Sequence, residues 1–181
     1  MLSKDKTAML LAEFFGTFVL ASAVLGVIAK VNIPIFAAAA AGSTLALMVL
    51  VIGKISGAHI NPAVTFGFWS VRKVPTPQAI VYIAAQVLGG VSALALASYL
   101  LDEALPGIAG KNLDWRVLAA EAIGTFVFTF GIAAAVNQKL EDGRLAAAIG
   151  LSLFVGILVA SMASNGILNP AVAIGLNSVS V

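Results

Sequence analysis

The chain has 181 residues, of which 61% are hydrophobic and 10% charged, with a formal net charge of +2. Soluble domains carry about 25% charged residues, so a water-soluble globule is excluded, and the lack of a clustered basic face interleaved with aromatics excludes a nucleic-acid binder. There is no cysteine, which removes disulfides, thiol nucleophiles and thiolate metal sites and leaves the redox state of the compartment open.

Apolar runs at 9–29, 35–52, 77–101, 117–136 and 145–163 each approach the roughly 20 residues with which an α-helix crosses about 30 Å of hydrocarbon. They are continuously apolar rather than alternating, so five spanning helices are expected and barrel strands are not. The first run follows Lys4 and Lys6 and contains Ala21-Ser22-Ala23, the outline of a secretory signal with its cleavage site. It is longer than a signal's apolar region and carries Glu13, so a spanning helix is expected there too. Placing the N-terminus in the cytoplasm puts Lys4, Lys6, Lys54, Arg72, Lys73, Lys139 and Arg144 on that side and Lys30, Lys111 and Arg116 on the other. That imbalance follows the cytoplasmic retention of basic residues in membrane proteins. The lack of a targeting segment and the short loops fit a bacterial plasma membrane.

Between the second and third runs stands Asn61-Pro62-Ala63, and the same tripeptide returns as Asn169-Pro170-Ala171, 108 positions later. The same offset superimposes 12–19 on 120–127, with Glu13 over Glu121. Two unrelated motifs sharing one period imply a duplicated unit, with one repeat at about 7–101 and a second at about 115–181. In each tripeptide asparagine is a favoured helix N-cap and proline a favoured first helical residue, so each should start a helix. One isolated copy would be only a helix-start signal.

The apolar stretch after Pro62 ends by Trp69, and the one after Pro170 should reach about Ser178; the first is about half the length needed to cross. Half-length helices at membrane depth survive only when buried in protein or lining a water-filled cavity. Because each half opens with an odd number of crossings, the second copy must be inverted, and the two half-helices should enter from opposite faces. Their N-termini would then meet near the midplane, each with roughly half a positive elementary charge from its macrodipole. Cations are repelled there, whereas two asparagine amides offer donors and acceptors to an uncharged hydrogen-bonding molecule. The expected activity is a passive, selective pore.

The string from Ser56 to Thr65, Ser-Gly-Ala-His-Ile-Asn-Pro-Ala-Val-Thr, resembles the first pore signature of the aquaporin or major intrinsic protein family of water channels and glycerol facilitators. The similarity extends over the whole chain and includes 84–90 on the third run. The resemblance implies an all-α, aquaporin-like bundle of inverted repeats with two re-entrant half-helices. It also implies a homotetramer embedded in membrane lipid, with Asn61, Pro62, Ala63, Asn169, Pro170 and Ala171 at each pore centre. It further implies that Glu13 and Glu121, the only acids inside apolar runs, accept hydrogen bonds from the half-helix loops; an interfacial, solvated Glu13 is the alternative. His59 would line the approach to Asn61, since a lone histidine cannot build a metal site. Gln86 would bond between helices, small residues such as Ala12 and Gly16 would allow close packing, and Trp69 and Trp115 would mark interfaces.

Two departures from the family follow. Where the family carries arginine after its second Asn-Pro-Ala, this chain has Val172, and family spacing puts the other constriction positions at Ala41, Ile157 and Gly166. Four small or apolar residues imply a constriction wider and less polar than a water-specific filter, open to water, glycerol, ammonia or hydrogen peroxide. The 108-residue period also maps the third run beyond Val181, so the sixth crossing is absent. Either the sequence is truncated or another subunit supplies that surface; truncation is the expectation, because an uncovered half-helix in lipid leaves polar groups unsatisfied. A non-conducting structural membrane protein of the same fold is the main alternative function, followed by a carrier with broken helices. No enzyme constellation and no cofactor are expected.

Overall fold

The computed structural model describes residues 4–31, 33–102 and 114–175. Lys111, the side chain of Lys4 and the second half-helix beyond Gly175 lie outside the described residues. Among those residues are helices α1 (Lys4–Ile28), α2 (Pro34–Ser56), α3 (Pro62–Ser70), α4 (Thr76–Leu101), α5 (Trp115–Asn137), α6 (Asp142–Ala160) and α7 (Pro170–Gly175). All but α3 and α7 are long and apolar enough to cross a membrane.

Local chemistry sets the helix ends. Pro34 and Pro62 occupy first-turn positions, where the missing N–H costs nothing. Asp114 caps α5 by accepting from the N–H of Arg116 at 2.8 Å. The hydrogen-bonded Arg116 guanidinium holds that carboxyl down to about 2, so the cap stays ionised. α2 runs on through Lys54 to Ser56 and stops at Gly57, whose φ of 89° is the left-handed conformation that glycine adopts without cost. The helices overrun the apolar stretches because hydrophobicity marks only the part in hydrocarbon, whereas backbone bonding continues into the polar flanks.

α1 packs between α2 and α4, α2 against α6, and α6 against α5. Small residues bring the backbones together, since helices in lipid gain no hydrophobic drive to associate and rely on close van der Waals contact. A Cβ on Gly124 would lie 2.6 Å from the carbonyl of Gly156, and one on Gly89 would lie 2.5 Å from that of Phe14. Large apolar side chains face outward instead, among them Leu47, Leu50, Leu88, Phe126 and Leu151, a pattern suited to lipid.

The two half-helices are enclosed differently. α7 lies against α4, with Gly175 on Gly90 and Gly90 against the carbonyl of Ala171. The residue 108 positions before Gly175 is Gly67 on α3, and a Cβ there would meet nothing within 4 Å. Gly90→Ala should therefore push against backbone that cannot yield, lowering stability by about 1–3 kcal/mol. Gly67→Ala should be neutral or stabilising; thermal unfolding in detergent distinguishes the two, and equal midpoints would contradict this packing.

Candidate functional site

The loops 57–61 and 165–169 bring the N-termini of α3 and α7 together. Asn61 Oδ1 accepts from the N–H of Ala63 at 2.8 Å, and Asn169 Oδ1 accepts from that of Ala171 at 3.0 Å, so each asparagine caps its own half-helix. The amide nitrogens cross over: Asn61 Nδ2 donates to the carbonyl of Leu168 and Asn169 Nδ2 to that of Ile60, both at 2.9 Å. Each asparagine thus holds the carbonyl immediately before the other. One hydrogen on each Nδ2 remains unassigned, a donor on a residue that is almost fully buried.

The backbone leading to each asparagine is strained. Ala58 and Ile60 have φ of 47° and 38°, and Gly166 and Leu168, 108 positions on, have 63° and 51°. For a β-branched residue such as Ile60 the left-handed region costs on the order of 1–3 kcal/mol and persists only when neighbours over-determine it. The neighbours are two acids, Glu13, which is buried, and Glu121, which is half-buried. Glu13 Oε1 accepts from Ser56 Oγ at 2.6 Å and from the N–H of His59 at 3.0 Å, while Oε2 accepts from the N–H of Ile60 and from Gln86 Nε2, both at 2.7 Å. Each oxygen takes two donors, which is the complement of an acceptor-only carboxylate. Glu121 repeats the pattern more sparsely, accepting from the N–H groups of Ile167 at 3.2 Å and Leu168 at 3.0 Å. Glu13 has no exposed surface, so the solvated alternative does not hold.

Further residues complete the loops. Ser56 Oγ accepts from the N–H of Ala58 and Ser164 Oγ from that of Gly166, and Tyr82 Oη donates to the carbonyl of Ser56. The serines share the 108-residue offset, and Ser56 also opens the signature string. Nothing local in the sequence marks Tyr82, and Thr65 closes the signature string without any sign there of its partner Gln86. Gln86 joins Glu13 on α1 to Thr65 on α3. Trp69 Nε1 donates to Thr76 Oγ1 at 3.0 Å, tying the end of α3 to the start of α4.

A cavity lies on either side of the asparagine junction. One of about 440 Å³ is lined by Ala41, Ile157, Gly166, Asn169 and Val172 together with apolar residues of α1 and α2. The other, about 570 Å³, is lined by His59, Val64, Phe68 and Ile149, with Lys54, Lys73 and Asp142 toward its polar part. Pro62 is buried and Pro170 exposed, each at the first position of its half-helix.

The family model of the major intrinsic proteins matches residues 1–180. The chain belongs to the major intrinsic protein family. This major intrinsic protein is 35% identical over 176 residues to aquaporin NIP1-1 of Oryza sativa subsp. japonica, covering 92% of the chain and 62% of that relative. It is 34% identical over 147 residues to aquaporin AqpM of Methanothermobacter marburgensis, covering 74% and 58%, and 35% identical over 142 residues to human aquaporin-4, covering 74% and 44%. It therefore spans less than two thirds of the length of these relatives. Among solved structures, the aquaglyceroporin from Plasmodium falciparum superposes with a TM-score of 0.80 at 21% identity, over 94% of this chain and 79% of that one, which shows a shared fold. These matches and the apolar helices make the protein an integral membrane protein. The organisms are a plant, an archaeon, a mammal and a protozoan, so they lend no support to a bacterial membrane.

The unequal loading of the two acids is testable. Glu13→Met leaves four donors without their acceptor, and Glu121→Met leaves two. At about 1–3 kcal/mol for each buried donor left unpaired, Glu13→Met should be the more damaging by several kcal/mol. Thermal unfolding in detergent measures both, and equal losses would contradict the arrangement.

Proposed function

We propose that this protein is a passive channel for water and small neutral solutes, with Asn61 and Asn169 at its centre. The observation that carries this is the pair of half-helix N-termini joined by reciprocal asparagine bonds, with a cavity on each side. The spare Nδ2 hydrogens and the N-terminal dipoles present only positive polarity, so a permeant must offer a lone pair and no net positive charge. Water, glycerol, ammonia and hydrogen peroxide meet that condition, and cations do not. Glu13 is saturated by four donors and Glu121 is engaged by two backbone N–H groups, so both acids are committed to the loops, which disfavours proton- or sodium-coupled carriage.

Ala41, Ile157, Gly166 and Val172 form the constriction on the Asn169 side in this reading. The lining also includes Ser161, Ser164 and Asn165 together with Leu20 and Val24, so hydrogen-bonding and apolar groups share the cavity. A polyol, with hydroxyls along one edge and carbon along the other, suits that surface. The assembly is a homotetramer with the outward apolar side chains against lipid and neighbouring protomers. The N-terminus is cytoplasmic, as the seven-to-three distribution of basic residues favours. Because the chain has no cysteine of its own, the side from which a reagent labels a Lys73→Cys protein decides the orientation.

Stopped-flow permeation in proteoliposomes tests the channel and its width together. Wild-type protein should pass both water and glycerol with linear, non-saturating flux. Val172→Arg should lower glycerol flux about tenfold, equivalent to a barrier increase of roughly 1.4 kcal/mol, with a smaller effect on water. Wild-type flux equal to that of empty liposomes would favour the non-conducting structural role. Water flow without glycerol passage would refute the widened constriction.

A further inference from the structure

His59 is the chain's single histidine, and its ring is held on several sides. It stacks on Phe68 with centroids 4.9 Å apart and meets the edge of Tyr82 at 5.5 Å. Its Nδ1 lies 3.1 Å from Thr65 Oγ1. A neutral imidazole carries one N–H, and which nitrogen holds it is read from the surrounding hydrogen-bond network.

One tautomer pairs the buried Thr65 hydroxyl hydrogen, and the other leaves it without a partner among the described residues. Glu13 can only accept, so Gln86 must turn its amide nitrogen toward Glu13 Oε2, spending one hydrogen there at 2.7 Å. The second hydrogen goes to Thr65 Oγ1 at 2.9 Å. Thr65 therefore accepts from Gln86, and its own hydroxyl hydrogen has one partner left among the described residues, His59 Nδ1. Nδ1 is consequently the acceptor, and the imidazole proton sits on Nε2. No described side chain or carbonyl takes up Nε2, and the ring lines the 570 Å³ cavity beside Asn61.

We propose that Gln86 and Thr65 are positioning residues that lock His59 as its Nε2–H tautomer, so that the wall of this cavity carries a fixed hydrogen-bond donor. The Glu13 carboxylate thus has two outputs. It holds the Asn61 loop through two backbone N–H groups, and through Gln86 and Thr65 it sets the polarity of the His59 side chain. A solute approaching the junction then meets a donor at His59 followed by the spare donors of Asn61 and Asn169, and passes with its oxygen or nitrogen lone pair directed to that wall. The tautomer stands on the network alone; its use by a permeant rests on the channel reading.

Nitrogen-15 NMR of the full chain labelled at histidine gives one ring, so its tautomer is read without assignment. Wild-type protein should show Nε2 protonated and Nδ1 bare. Thr65→Val keeps the shape and deletes the hydroxyl, and should shift the tautomer ratio toward Nδ1–H by about fivefold, the factor that one neutral hydrogen bond is worth. Thr65→Ser should restore the wild-type ratio. Nδ1–H in the wild type, or a Thr65→Val protein with an unchanged ratio, would overturn the proposal; if Thr65→Val does not fold, the wild-type spectrum and a Gln86→Met protein, in which the ratio should also shift, decide it. Glycerol flux should fall in Thr65→Val and recover in Thr65→Ser. A shifted tautomer with unchanged flux would refute the role in permeation, whereas absent wild-type flux with the Nε2–H spectrum would count against the channel and leave the locked tautomer standing.

Discussion

The structure depends on two hydrogen bonds made in opposite directions, Asn61 Nδ2 to the carbonyl of Leu168 and Asn169 Nδ2 to that of Ile60. Each half-helix start would otherwise present unpaired N–H groups, and each loop an unpaired carbonyl, at residues buried away from bulk water. By exchanging amides, the two halves satisfy each other while keeping one donor apiece in reserve. The same side-chain oxygens cap the helices, so a single residue type at two positions joins the halves, starts the helices and supplies donors at the junction.

That junction requires backbone that the sequence would not choose by itself. Ile60 and Leu168 sit at positive φ, which turns their N–H groups toward the carboxylates and frees their carbonyls for the asparagines. The carboxylates make the strain tolerable because bonds to an ionised acceptor are about twice as strong as neutral ones. The two halves are not equally reinforced. Glu13 is enclosed by α1, α4 and the first loop and has four donors, while Glu121 has two and is only half-buried. The half-helices show the reverse imbalance: α7 is clamped on α4 through Gly90, and α3 leaves Gly67 uncovered.

Much of this was legible because duplication turns weak local signals into paired ones. Asn61 over Asn169 and Glu13 over Glu121 are paired by the offset, the loop-holding role of the acids comes only with the family resemblance, and the apolar runs identify five spanning helices. Helix ends were less legible: α2 continues past its apolar stretch through Lys54 because a charged side chain can extend into water while its backbone remains helical. The positive φ of Ile60 runs against the preference of a β-branched residue and is imposed by Glu13, 47 positions away. Tyr82, Thr65 and the tautomer of His59 belong to a network spanning α1, α3, α4 and the first loop, which no single segment announces. Gly67 and Gly175 share one register in the sequence, yet only the packed helices reveal that one is covered and the other open.

A double-mutant cycle on the asparagines, read as unfolding free energy in detergent, tests the reciprocal junction most directly. If each amide holds the loop of the other, Asn61→Ala alone should already loosen what Asn169 grips, and the double variant should cost less than the two single losses together by at least about 1 kcal/mol. Losses that simply add would mean that the half-helix tips are held independently, and would contradict the account.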